Sequence, residues 1–493
     1  LSSYTKLIFF IYNVNKKVKI FLGDNLTKYN FKTKPFKHQL KALEKSQGKQ
    51  CFAYFMEMGT GKTKVAIDDV VNLYLEKKID TVVVIAPNSV YQNWINEINM
   101  HAGCDVNINT HKVDKNFVHQ LDKLNFYLFN VEAFSHSSGV NILKKIMNVF
   151  HKKMCAIIDE STTIKNRQAK RAKNVIQLCR QSAYKRILTG SPITKSPLDL
   201  YSQCDFLKQG LLGFNNYFVF RARYSVMKQI QVGGNKNVMI PIYYTNLDEL
   251  EDKLKSFSFR VRKDECLDLP PKIYEKRIVT LSRPQQEIYN DLKQFCRTVI
   301  EDDMASYNNK LTEINKLQQV CCGFVKTDDG ETKTLPNAKL IELLNILDET
   351  EGKVIIWSTF VHSINEIVNA LQKKYGSDST VQIHGIVSLE SRTSAVQDFQ
   401  KNDKVRFLVG NPTVGGYGLT LTAASTIIYF NNSFNLEVRQ QSEDRAHRHG
   451  QKKSVTYIDL VADKTLDDFV LKTLNQKMKL SAQTLGEEVL KFL

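Results

Sequence analysis

Short apolar runs alternate with stretches of helical spacing from about residue 35 to 200. The runs are Phe52 to Phe55, Thr81 to Ala86, Phe126 to Asn130, Cys155 to Ile158 and Arg186 to Thr189. Near-continuous apolar runs of this length predict strands buried on both faces, and their alternation with helical text predicts a parallel α/β sheet. A second block repeats the rhythm with Lys353 to Trp357, Val381 to His384, Arg406 to Val409, Thr426 to Phe430 and Val455 to Leu460, and predicts a second parallel sheet. Between 200 and 262 the text turns irregular and rich in Phe, Tyr, Lys and Arg, which reads as a helical insertion in the first lobe. Leu269-Pro270-Pro271-Lys272 breaks regular structure and marks a linker. Ile288, Leu292, Phe295 and Val299 then fall at helical spacing. The predicted organisation is a small β-hairpin at 1–30, with strands Leu7 to Val14 and Val18 to Leu22, then a first lobe at 31–268. A linker and helical insertion at 269–335, a second lobe at 336–465 and an amphipathic C-terminal helix at 466–493 follow.

Composition narrows what such a chain does. With 493 residues it exceeds the size at which one hydrophobic core stops growing, about 250 to 300, in keeping with two lobes. The formal net charge of +18 points to a polyanionic partner, nucleic acid before membrane. Nine cysteines are scattered without a C-x-x-C pair, which argues against a zinc site or a disulfide framework and for a reducing cytoplasm. Leu7 to Tyr12 is too short for a signal-peptide core, and no run approaches the roughly 20 apolar residues of a membrane span.

Met58-Gly59-Thr60-Gly61-Lys62-Thr63 lies between a predicted strand and a helix beginning near Val65. Backbone N–H groups and a helix N-terminus converge there, as phosphate binding requires. Glycines admit the close approach, Lys62 would neutralise the β and γ phosphates, and Thr63 would offer its hydroxyl to Mg²⁺. Asp159 and Glu160 stand at the end of the strand Cys155 to Ile158, where an open α/β sheet presents its ligands. Asp159 suits a metal ion and Glu160 a general base. Arg445 and Arg448, three apart and placed on one helical face, are candidates for the cation that stabilises charge on a transferring phosphate.

Taken with Leu188-Thr189-Gly190-Ser191-Pro192, Gly415-Gly416-Tyr417-Gly418-Leu419-Thr420-Leu421 and Gln441 to Gln451, these motifs resemble superfamily 2 helicases, specifically the Snf2 group, in order and spacing. His38-Gln39, Ala86-Pro87 with Trp94, Arg260 to Lys263 and Asn337 to Leu340 add to the likeness, which covers roughly 35 to 465. The resemblance implies two RecA-like lobes in tandem, each an α/β domain with a parallel sheet. It also implies that Gln39 reads adenine, that Gly416 and Gln441 join the nucleotide site, and that Lys62, Asp159, Glu160, Arg445 and Arg448 carry catalysis with ATP and Mg²⁺. Asn88, Thr189, Ser191, Ser358, Gly415, Thr420 and Thr422 would touch the phosphodiester backbone, contacts that carry no sequence information.

The chain departs from the group's pattern at Ser161-Thr162, where Ala-His is usual, at Met56-Glu57 for Asp-Glu, and at Thr420 for Asn. The expected protein is a compact viral or bacterial DNA translocase acting as a monomer. It would remodel branched DNA by fork reversal or branch migration in replication, recombination or repair, and reside in the cytoplasm, or the host cytoplasm if viral. The alternatives are an RNA-dependent ATPase or helicase in viral transcription, and a nucleotide-gated DNA-binding module with weak hydrolysis.

Overall fold

The computed structural model describes residues 31–111, 118–231, 237–266, 269–301, 307–327, 329–415, 419–448 and 450–487. The hairpin expected at 1–30, together with Gly416, lies outside them. The chain divides into two compact units, 1–193 with 198–220 and 249–267, and 194–197 with 221–248 and 268–493.

In the first unit, strands β1 (Cys51–Met56), β2 (Thr81–Ala86), β3 (Val106–Thr110), β4 (Leu124–Asn130), β5 (Met154–Asp159) and β6 (Tyr184–Leu188) precede the irregular stretch. That stretch carries helices Leu200–Leu207, Tyr217–Tyr224 and Leu247–Lys255. It also carries an antiparallel pair, β7 (Ser225–Gln231) and β8 (Asn237–Tyr244), which falls to the second unit, so the insertion is not purely helical. The stretch ends in β9 (Ser258–Val261), which returns to the first sheet beside β1. The sheet order is β3-β4-β2-β5-β6-β1-β9, with every pairing parallel. Because all strands run one way, the ends of β1, β2, β5 and β6 open on one edge of the sheet, and a single site gathers there.

Burial explains why these segments are strands. All six residues of β2 and all six of β5 are buried, as a central parallel strand covered by helices on both faces requires. Helix Lys62–Leu75 buries Val65, Ile67, Val70 and Val71 against Phe52, Val82 and Phe126 of the sheet. One charged pair crosses this core. Arg186 on β6 donates from Nε to Asp69 Oδ2 at 2.6 Å and from Nη1 to the carbonyls of Gln50 and Lys185.

The second unit holds β10 (Lys272–Val279), β11 (Phe324–Lys326), β12 (Thr332–Thr334), β13 (Lys353–Trp357), β14 (Thr380–Ile383), β15 (Phe407–Gly410), β16 (Ala424–Tyr429) and β17 (Val455–Ala462). Its main sheet is wholly parallel in the order β10-β17-β16-β13-β15-β14. Within the stretch read as linker and helical insertion, the helices are Arg283–Glu301 and Tyr307–Cys321, but Lys272–Val279 is an edge strand paired along its length with β17. The helix Leu466–Thr484 packs Val470 and Leu474 on Leu436. Two α/β lobes with parallel sheets are therefore present, as the hydrophobic rhythm predicts. Among the described residues no helix is long and apolar enough to cross a membrane.

Candidate nucleotide-binding site

The turn after β1 is shaped by its glycines. Gly59 and Gly61 both take φ near +83°, a region that a side chain enters only at a cost. Gly61 caps helix Lys62–Leu75, and Thr60 ties the turn back on itself by donating its hydroxyl to the Glu57 carbonyl at 2.7 Å. Beneath lies helix Lys37–Ser46, from which Gln39 Nε2 donates to the Thr60 carbonyl at 3.1 Å and His38 Nε2 meets the same oxygen at 2.8 Å. Gln39 Oε1 accepts from the Phe36 amide, so the amide predicted to read adenine braces the phosphate loop here. A Cβ built on Gly61 would stand 2.2 Å from Gln39 Nε2. Gly61→Ala is therefore expected to dislodge Gln39 and to lower stability by about 1–2 kcal/mol from the left-handed backbone alone. Thermal unfolding and titration with a fluorescent ATP analogue would measure both losses.

The acidic pair closes the other side. Asp159, 6% exposed, ends β5 and accepts from the Glu160 amide on Oδ1 at 2.9 Å and from Trp94 Nε1 on Oδ2 at 2.8 Å. Burial pushes its carboxyl above the ordinary range, opposed by the charge of Lys62 and by these two hydrogen bonds. Glu160 is held at φ +48°, ψ +64°, a left-handed conformation uncommon for a non-glycine residue and a form of backbone strain that clusters at functional sites. That twist leaves its carboxylate 3.9 Å from Lys62 Nζ and within 3.4 Å of the Thr189 hydroxyl. Thr189 is fully buried, and its oxygen accepts from the Ser191 amide at 3.2 Å. Phosphate loop, acidic pair and the Thr189–Ser191 turn thus meet at one sheet edge, though they lie far apart in sequence. Thr63 is half-buried in the first turn of its helix, and Asn88 is exposed at the end of β2.

Two residues here carry no motif of their own in the sequence. Trp94, noted only as a companion to Ala86-Pro87, is the donor to Asp159. Gln203, fully buried, accepts from the Ser161 hydroxyl at 2.6 Å and donates to the carbonyls of Pro192 and Asp199. Ser161, standing where the Snf2 group has alanine, is thereby joined to the turn after Thr189.

In the second unit, Gln441 lies buried in helix Leu436–Glu443 and donates to Glu437. The expectation that Arg445 and Arg448 share a helical face is corrected, because the helix ends at Glu443 and both arginines follow in turns. The Leu421 amide takes the Arg445 carbonyl at 2.9 Å, which diverts that carbonyl from a helical ladder. The two guanidinium groups nevertheless converge, each donating to the Leu419 carbonyl, and Arg448 reaches the Thr420 hydroxyl at 2.9 Å. The helix ahead of them is anchored by Arg439, which bonds Glu443, Asn432 and Asp459, and by Lys272 and Tyr274 on Glu443. Of the residues expected at a phosphodiester backbone, Thr420 is exposed and Thr422 half-exposed. Ser358 is fully buried, and its hydroxyl is donated to Asn431.

Arranged this way, the first lobe's edge can hold a triphosphate and set a carboxylate beside it, the apparatus of a P-loop nucleotide hydrolase. Residues 44–325 match the SNF2-related domain and residues 336–450 the helicase conserved C-terminal domain. The chain belongs to the SNF2-related family. It is 28% identical over 473 residues to an uncharacterized ATP-dependent helicase of Mycoplasma genitalium, covering 94% of this chain and 43% of that protein. It is 30% identical over 348 residues to the Caenorhabditis elegans homolog of SWI/SNF-related matrix-associated actin-dependent regulator of chromatin subfamily A-like protein 1, covering 70% and 46%. The chain thus spans less than half the length of these curated relatives. Among solved structures it is similar to the Sulfolobus solfataricus SWI2/SNF2 ATPase core in complex with dsDNA, with 25% identity, a TM-score of 0.42, and 92% and 93% of the two chains covered.

Proposed function

We propose that this chain is a DNA-dependent ATPase that translocates along duplex DNA and remodels branched junctions. The observation that carries the reading is the meeting of Lys62, Glu160 and Thr189 at one edge of the first sheet, in a chain of the SNF2-related family. The donor set there also fits a hard divalent cation, since a buried carboxylate with lone pairs to spare and a helix-terminal hydroxyl are oxygen ligands. Thr63 and Asp159 would hold it, and when bound it neutralises charge on the phosphates.

In this reading the backbone amides of Gly59 to Thr63 cradle the phosphates, and Lys62 moves from Glu160 to the β and γ phosphates. Glu160, released, orients the attacking water and accepts its proton. By the resemblance to the Snf2 group, Arg445 and Arg448 would supply positive charge to the transferring group. Thr189 touches the catalytic carboxylate on one side and Ser191 on the other, so a strand bound at Ser191 and Asn88 would alter the set of Glu160. Thr420, Thr422 and Gly415 would grip the backbone from the second lobe, and none of these contacts reads a base.

ATP turnover measured over single strands, duplex, forks, four-way junctions and RNA tests the reading. Stimulation by duplex DNA, greater stimulation by junctions and little by RNA are expected. Equal rates on junctions and duplex would remove the remodelling function, and preference for RNA would remove the DNA assignment.

A further inference from the structure

A buried polar contact that the proposed mechanism does not use is the indole of Trp94 on Asp159. Trp94 lies on helix Tyr91–His101, which begins directly after the short turn Asn88–Val90 at the end of β2. Tyr91, Trp94 and Ile98 share one face of that helix, all buried. Tyr91 donates its hydroxyl to the Leu128 carbonyl at 2.7 Å, and Trp94 donates to Asp159 at 2.8 Å. An indole N–H is a donor only, and Trp94 is 1% exposed, so water does not readily substitute for the carboxylate. Asp159 in turn has one oxygen on its neighbour's amide and the other on this indole, which fixes the plane of the carboxylate and leaves its remaining lone pairs aimed by those two bonds. The first turn of helix Tyr91–His101 therefore sits between an exposed turn at Asn88 and the carboxylate expected to hold the cation.

We propose that Trp94 is a positioning residue that orients the Asp159 carboxylate for its divalent cation, from a helix that starts at the exposed turn of Asn88. The inference rests on the ATPase reading given above. A tryptophan there for packing alone would be replaced by phenylalanine with little effect on cation binding, because the ring's apolar bulk remains in a core that also holds Val82, Val84 and Tyr91. A positioning role predicts otherwise. Groups that hold a metal ligand by hydrogen bonding typically contribute 10- to 100-fold to metal affinity.

The test compares the unsubstituted chain with Trp94→Phe in two readouts. The first is the Mg²⁺ concentration that half-saturates binding of a fluorescent ATP analogue, expected to rise about tenfold, with binding restored at saturating Mg²⁺. Stimulation of turnover by duplex DNA is expected to fall further than the unstimulated rate. An unchanged Mg²⁺ requirement overturns the proposal. The second readout uses the unsubstituted chain, so it does not depend on the variant folding. The protein has only two tryptophans, and paramagnetic Mn²⁺ bound with ATP at Asp159 is expected to quench the Trp94 share of the emission relative to Mg²⁺. Emission that stays unquenched while nucleotide is bound also overturns it. A chain that neither binds nor hydrolyses ATP brings down the ATPase reading itself, an outcome distinguishable from an ordinary Mg²⁺ requirement in Trp94→Phe.

Discussion

Glu160→Gln is expected to slow ATP turnover by roughly 10²- to 10⁴-fold while leaving nucleotide binding near that of the unsubstituted chain. The amide keeps the size and hydrogen-bonding reach of the carboxylate but takes no proton from the attacking water. Glutamine also leaves the backbone at φ +48° under the same strain as before, so the comparison isolates the carboxylate. Its neighbours sharpen the expectation. Lys62 at 3.9 Å and Thr189 at 3.4 Å both face the Glu160 carboxylate, and a glutamine of the same length keeps an oxygen within reach of them. Steady-state hydrolysis with saturating duplex, set beside titration of a fluorescent ATP analogue, decides the matter. A variant that retains more than about a tenth of the rate would remove Glu160 from the role of base.

The largest expected loss of stability lies elsewhere in the same lobe. Asp69→Ala is expected to cost about 3–5 kcal/mol, because it leaves the Arg186 guanidinium buried without its counter-ion. Arg186 is 1% exposed and Asp69 5%, so solvent screening offers little relief. The cost comes from the stranded charge and not from the pair itself. Replacing both by well-packed apolar residues, Asp69→Leu with Arg186→Met, is accordingly expected to recover most of the loss. Urea denaturation of the two variants measures this directly. A loss below about 1 kcal/mol in Asp69→Ala would place the pair among exposed ion pairs in effect, against its burial.

What the sequence made legible follows from burial. Central strands such as Thr81–Ala86 and Met154–Asp159 are covered on both faces, and their uninterrupted apolar text betrays them. The strands left unread are all at sheet edges. Val106–Thr110 alternates with asparagines, Ser258–Val261 hides in aromatic and basic text, and Lys272–Val279 is largely charged and follows two prolines. An edge strand has a solvated side and no need of a continuous apolar run. The site divides the same way. Gly59 to Thr63 with Asp159 and Glu160 are contiguous groups whose chemistry is local, so spacing reveals them. Trp94 reaches Asp159 across 65 residues and Gln203 reaches Ser161 across 42, and no local pattern encodes such a pairing. Arg445 and Arg448 are legible as a pair but not in their backbone, where local turn bonds and a bond from the distant Leu421 amide to the Arg445 carbonyl replace the helix.

The neighbours of β1 have a consequence for synthesis. Among the described residues this strand, which carries the phosphate loop, pairs only with Tyr184–Leu188 and Ser258–Val261, both far downstream. At typical elongation rates of 5–20 residues per second, roughly 10 to 40 s separate the emergence of β1 from that of its last partner. For about the first two-thirds of that interval a nascent chain carries Cys51–Met56 without either flanking strand, and to its end without Ser258–Val261, so the loop it should present lacks a complete base. Nucleotide can therefore assist folding only late, once the ribosome has passed Val261.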